Sequence, residues 1–145
     1  VIRLANHKDI KELARLCSQL GYESSEEQVE SRLHRILHDL DHAVFVFEQE
    51  VPRLAGWVHV YGKHLIESEY AEIGGLVVDQ NSRRQKIGER LMRKCEEWAT
   101  ENGYSELRLR SGGHRKEAHA FYKQIGYENV KSQQVFTTNL EGVNV

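Results

Sequence analysis

The 145-residue sequence predicts an α/β fold: one domain, 1–145, with a central mixed, mostly antiparallel sheet of six to seven strands flanked by about four helices. Three observations carry this. Helical and strand periodicities alternate along the chain with no linker, repeat or low-complexity tract. The middle of the chain holds successive strand-like runs separated by short polar turns, the pattern of an antiparallel meander. The second half alternates strand and helix, the pattern of βα units. The length suits one domain with a substantial core.

Each element has its own signal. Residues 1–4 are a short strand. Residues 9–20 follow helical spacing, with Ile10, Leu13, Ala14, Cys17 and Leu20 on one side. Gly21, Tyr22 and Glu23 form a loop. Ser24 and Ser25 are capping residues for a second helix, 26–39, and Glu27 and Gln28 stand where a capping box needs them. Val29, Leu33, Ile36, Leu37 and Leu40 make its apolar stripe. Residues 43–47 and 54–61 are strands joined by a turn with Pro52, the only proline. After the turn 62–68, residues 70–78 are the next strand, and its run 73–78 is apolar on both faces, as in a buried strand. A polar turn, 79–82, precedes a helix with Ile87, Leu91, Met92, Cys95, Trp98 and Ala99 on one side. Residues 106–110 are a strand. Residues 116–125 are a helix with Ala118, Phe121 and Ile125 on one face, and Gly126 is its C-cap, where positive φ is needed. Residues 129–132 and 134–139 are the final strands.

Composition narrows the function. Apolar content of 39% and charged content of 29% are those of a soluble globular protein. A net charge of −2 gives no general attraction to nucleic acid or to an anionic membrane. No apolar run approaches the ~18 residues of a membrane span, and no secretory leader is visible. Cys17 and Cys95 fall on apolar helix faces and read as free buried thiols, with a disulfide between them as the alternative, so the expected location is the cytoplasm. His34 and His38 are four apart, with Asp41 and His42 just beyond, a spacing that suits two zinc ligands. No third ligand is placed, and Arg32, Arg35 and Asp39 mark a solvated face, so no metal is expected.

The segment 71–98, AEIGGLVVDQNSRRQKIGERLMRKCEEW, is the most informative. A strand runs into a basic turn that opens a helix. A helix N-terminus presents unpaired amides and partial positive charge to anions. Arg83, Arg84, Lys86 and Arg90 add full charges, and Gly88 lets a phosphate approach the backbone. There is no Gly-Lys-Ser/Thr and no Gly-x-Gly-x-x-Gly, so neither a nucleoside triphosphate loop nor a dinucleotide fingerprint is present.

The segment resembles the coenzyme A pyrophosphate loop of the GNAT superfamily of N-acetyltransferases, Arg/Gln-x-x-Gly-x-Gly/Ala. Arg83 takes its first position and Gly88 its last; Lys86 replaces the middle glycine. A second segment, Glu117-Ala-His-Ala-Phe-Tyr-Lys-Gln-Ile-Gly-Tyr127, resembles the family's late helix, A-x-x-F-Y-x-x-x-G-F/Y, in the right order and at the right spacing. With residues 2–4 and the first helix, the resemblance covers nearly the whole chain. It implies a GNAT-like fold and an acetyl-CoA-dependent enzyme that passes acetyl directly to a primary amine of a small molecule. Acetylation of a protein terminus or lysine is the alternative within the class, and a non-catalytic acyl-CoA-binding module the alternative outside it. Nucleic acid and membrane are not expected partners, and a homodimer is left open.

The resemblance also implies site residues. Leu76, Val77 and Val78 would pair with the pantetheine arm of acetyl-CoA. Arg83, Arg84, Gln85, Lys86, Ile87, Gly88 and Glu89 would hold its pyrophosphate, and Arg115, Ala118 and Tyr122 would complete the cofactor side. Gly74-Gly75 would mark a bulge that turns a backbone amide to the acetyl carbonyl; a tight contact with a helix is the plain alternative. Tyr122 is the candidate acid, because a phenol and a thiol have similar pKa values and the leaving thiolate needs a proton. Glu72, ahead of Leu76-Val77-Val78, is the candidate base; it is also read as an anchor for the substrate cation or as a partner of a nearby arginine. Tyr22, Glu69 and Glu72 are candidate substrate contacts. If Glu67, Glu69 and Glu72 meet beside the Tyr22–Glu23 loop, the pocket is acidic. Trp57, His59 and Tyr61 alternate on one strand face and line the acceptor pocket or pack under a helix. The string 115–122 is similar to aminoalkylphosphonate N-acetyltransferases, and the Ser-Arg-Arg turn to aminoglycoside enzymes; the two disagree about the substrate.

Overall fold

A computed structural model describes residues 1–83 and 85–141. The elements are β1 (Ile2–Leu4), α1 (Ile10–Gln19), α2 (Glu26–Leu37), β2 (His42–Glu50), β3 (Arg53–His64), β4 (Glu69–Val78), α3 (Ile87–Glu101), β5 (Leu107–Leu109) and α4 (Lys116–Gln124). The chain falls into two compact units, Val1–Arg110 and Ser111–Val145.

The first unit holds the sheet, in the order β1-β2-β3-β4-β5. All neighbours are antiparallel except β4 and β5. The helices form for the reasons their sequences give. Ser25 caps α2: its hydroxyl accepts from the Gln28 amide while the Gln28 side chain accepts from the Ser25 amide. In α1, Leu13, Ala14 and Leu16 are buried in a cluster with Val29, Leu33, Val44, Val46, Leu54 and Val77. Strand side chains alternate between faces, so Phe45 and Phe47 lie on the opposite face. There Arg90 of α3 lies 4.7 Å from the Phe47 ring and Lys94 5.6 Å from that of Phe45. Leu91, Met92 and Cys95 of α3 are fully buried.

The cross-strand register fixes which residues share the α1–α2 face. His59 stands opposite Val44, Trp57 opposite Val46, and Tyr61 opposite both His42 and Glu72. This face is apolar near α1 and α2 and turns polar toward His42, Tyr61 and Glu72.

The second unit contains α4, whose C-cap is Ile125 rather than Gly126; Gly126 follows it with φ of 107°. The sheet has five strands among the described residues rather than six to seven. Segments 129–132 and 134–139 carry no strand, and Val135 and Phe136 are 86% and 89% exposed. Alternating apolar residues specify a face, but a strand also needs a neighbour for its backbone groups. No ladder reaches these segments among the described residues.

Candidate active site

The strand β4 is irregular in one place. Its register with β3 shifts between His59 and Val60: His59 pairs with Gly75 and Val60 with Ile73, leaving Gly74 as the extra residue of a bulge. Two rings of β3 close on the glycines. A Cβ on Gly74 would stand 2.5 Å from His59 Nδ1, and one on Gly75 2.9 Å from the Trp57 indole. The close approach that the sequence leaves between a ligand and a helix is thus made by the neighbouring strand. Gly74 itself is exposed.

Beyond the bulge, β4 has one free edge. β5 pairs only with Ala71, Glu72 and Ile73, so among the described residues no ladder meets Gly74–Val78 on that side. Leu76, Val77 and Val78 keep their bonds to β3. Their other edge offers amides and carbonyls to an extended ligand.

The chain then passes through a short turn into α3. Asp79 is buried, paired with Arg15 at 3.1 Å, and its carboxylate accepts from the Asn81 amide. Lys86 sits at the N-cap of α3 in the left-handed region, φ 59°, and no side chain caps the helix. The first-turn amides, on Ile87, Gly88 and Glu89, are therefore available to an anion. Arg83 and Lys86 are exposed beside them, Gln85 accepts from Gln49 at 2.8 Å, and Ile87 and Gly88 are buried. Arg84 lies outside the described residues.

Glu72 is 4% exposed and fully engaged. Tyr61 donates its hydroxyl to one oxygen, with Lys63 Nζ at 3.4 Å; Arg110 Nε donates to the other at 2.9 Å. Burial raises the carboxyl pKa, but the Tyr61 hydrogen bond and the Lys63 and Arg110 charges prevail and hold it below its ordinary value. The Tyr61 phenol is pushed up to about 12 by burial and by Glu72. Of the roles the sequence offers Glu72, this geometry suits an ion-paired anchor better than a base.

The other carboxylates do not join it. Residues 69–73 pair in unbroken register with β3, and three residues along a regular strand reverse the face. Glu69 is therefore on the opposite face from Glu72, exposed, with its carboxylate 2.9 Å from His64 Nδ1. Glu67 is exposed in the turn, so the acidic pocket does not assemble. Tyr22 and Glu23 are exposed after α1.

In the second unit, Tyr122 is half-buried, its ring 6.3 Å from that of Tyr127 at 69°. Burial raises its phenol pKa, against the lowering effect of Arg115, so the hydroxyl stays protonated at neutral pH. Arg115 is exposed at the start of α4 and Ala118 is half-buried one turn on.

Lys63, Arg110 and His42 do not figure in the sequence prediction of the site. Lys63 is legible only as the residue two beyond Tyr61 on the same strand face. Arg110 directly follows β5, the strand that β4 meets in parallel. His42 reaches His59 at 2.9 Å, Nδ1 to Nε2; the residues are 17 apart in sequence, and only the β2–β3 register joins them. His34 and His38 stay local, with His38 Nδ1 2.7 Å from the His34 carbonyl oxygen. Cys17 and Cys95 are free thiols. No helix of the described residues is long and apolar enough to cross a membrane.

A family model described as "Acetyltransferase (GNAT) family" matches residues 7–127. No curated protein matches the chain. Among solved structures, a GNAT family acetyltransferase of Staphylococcus aureus is 25% identical, with 97% of this chain and 98% of that one covered and a TM-score of 0.75. An aminoglycoside 6′-N-acetyltransferase of Acinetobacter haemolyticus is 16% identical over 97% of this chain and 99% of that one, with a TM-score of 0.83. An aminoglycoside N-acetyltransferase solved in complex with CoA is also 16% identical, over 96% and 99%, with a TM-score of 0.82. The last two show likeness of fold.

Proposed function

Because the chain belongs to the acetyltransferase (GNAT) family, we propose that it moves the acetyl group of acetyl-CoA directly onto a primary amine of a small molecule. One observation carries the reading. The edge of β4 at Gly74–Val78, which no ladder meets among the described residues, and the N-terminus of α3, which has no side-chain cap, are joined by one short turn. The first suits the amides of a pantetheine arm and the second a pyrophosphate, so the residues present fit acetyl-CoA.

In this reading the amides of Ile87, Gly88 and Glu89, with Arg83 and Lys86, bind the pyrophosphate; Arg84, Gln85, Arg115 and Ala118 are assigned to the same ligand. The bulge at Gly74 frees backbone groups for the acetyl carbonyl, whose oxygen gains charge in the transition state. Tyr122 donates its proton to the departing thiolate. Glu72 holds Tyr61, Lys63 and Arg110 in place beside the acceptor. With its charge offset by two cations, the site does not select polycations, and Tyr22 contributes shape rather than charge.

A screen of primary amines, among them a polyamine, an aminoglycoside and an aminoalkylphosphonate, tests this by release of the CoA thiol. Acetylation of at least one small amine is the expected result. Transfer only to a protein terminus or lysine would overturn the small-molecule assignment.

A further inference from the structure

The bulge is the place where the proposed reaction needs a proton acceptor. An alkylammonium has a pKa near 10 and must lose a proton before it attacks. Glu72 is poorly placed for this, as its carboxylate is held by Tyr61, Lys63 and Arg110.

His59 is different. Its ring lies over Gly74, with Nδ1 toward the position where a Cβ would stand. No described residue hydrogen-bonds to that Nδ1. Its other nitrogen, Nε2, is 2.9 Å from His42 Nδ1, and the two rings stack at 5.1 Å and 23°. His42 Nε2 in turn faces the Asp39 carboxylate at 3.6 Å. The Asp39 carboxylate is itself fixed by the Asp41 amide at 2.9 Å. The line Gly74–His59–His42–Asp39 thus runs diagonally across three neighbouring strands, from the bulge to the surface.

Resting on the function proposed above, we propose that His59 and His42 form a two-histidine relay that takes the proton from the acceptor ammonium at the bulge and delivers it beside Asp39. The arrangement requires one pair of tautomers. His42 carries its proton on Nε2, toward Asp39. His59 carries its proton on Nε2 and donates it to His42 Nδ1. The lone pair of His59 Nδ1 is then left facing Gly74. In the transfer, an N–H bond of the ammonium breaks and one forms at His59 Nδ1. The Nε2–H bond of His59 breaks and one forms at His42 Nδ1. The charge comes to rest on His42 next to a carboxylate, and the amine keeps its lone pair for the acetyl carbon.

The electrostatics agree. Burial, with a smaller contribution from His42, lowers the His59 pKa to about 4. His59 is therefore neutral at pH 7 and is a poor place to leave a charge. Passing the proton on moves the charge to half-exposed His42, whose Nε2 faces the Asp39 carboxylate. The other groups facing the pair are the Tyr61 ring, 5.1 Å from His42 and 5.4 Å from His59, and through it Glu72 with Lys63 and Arg110.

Two measurements test the relay. In the first, ¹⁵N spectra of the imidazoles in the intact protein report tautomers with no acceptor present. Nε2–H on both His59 and His42 is expected; Nδ1–H on His59 would overturn the proposal. In the second, pH profiles of kcat/KM are taken for wild type, His59→Gln and His42→Gln with whichever amine of the panel is acetylated. His59→Gln should lose roughly 10²–10⁴-fold at neutral pH. Its rate should then climb with pH toward the pKa of the free amine, while its affinity for acetyl-CoA is retained. His42→Gln should show a smaller loss with a displaced acid limb. A wild-type rate and profile in His59→Gln would overturn the relay. If wild type acetylates nothing in the panel, the parent function falls instead, and the tautomers alone decide whether the relay is built.

Discussion

The Nδ1 of His59 stands 2.5 Å from the point that a Cβ on Gly74 would occupy. The two residues are therefore sterically coupled across β3 and β4. Gly74→Ala forces the imidazole aside and should cost about 1–3 kcal/mol, as overpacking does. In a His59→Ala background most of that cost should vanish. Denaturation midpoints of the four proteins of this cycle measure the coupling. Equal costs in both backgrounds would show that the contact is not what keeps residue 74 a glycine.

The uncapped start of α3 makes a second prediction. Acetyl-CoA should raise the melting temperature by binding the native state. Arg83→Glu and Gly88→Glu each put an anion where the pyrophosphate would lie and should abolish the shift. A shift unchanged in both variants would remove the assignment.

Tyr122→Phe separates the acid role from packing, since the ring and its contact with Tyr127 remain. A fall in kcat of roughly 10²–10⁴-fold is expected, with acetyl-CoA affinity little changed. Wild-type turnover would make the residue structural.

Glu72→Gln should destabilise the protein at pH 7 by about 1–3 kcal/mol. That is less than for a wholly buried pair, because the Arg110 and Lys63 side chains are 50% and 30% exposed. The pH dependence has a definite sign. The folded-state pKa of Glu72 is below its ordinary 4.5, so its contribution is complete above that value and is lost as pH falls through the folded-state value. The gap between wild type and variant should narrow on acidification below about pH 4.5. A gap that is constant with pH would mean that the ion pairs do not account for it.

Much of the fold is written locally. Ser25 and Gln28 announce α2, the stripe from Ile87 to Ala99 announces α3, and Gly126, just past the C-cap, marks the end of α4. The basic turn and helix start are legible for the same reason, because they occupy one continuous segment. What depends on register is not. Val130, Val135 and Phe136 look like strand residues, yet alternation names no partner. Glu69 and Glu72 look like neighbours in sequence and face opposite ways in a regular strand. Glu72 and Arg110 are 38 residues apart, and only the parallel pairing of β4 with β5 brings them together.

Direct transfer from acetyl-CoA to an amine is the central claim, and mass spectrometry of a single turnover tests it most directly. Cys95 is fully buried, and burial raises its thiol pKa, so it is no nucleophile for an acyl-enzyme. With isotopically labelled acetyl-CoA and an accepted amine, the label should appear on the amine, match the CoA thiol released, and never be found on the protein. Label accumulating on the protein before the amine, or CoA released with no amine labelled, would contradict it.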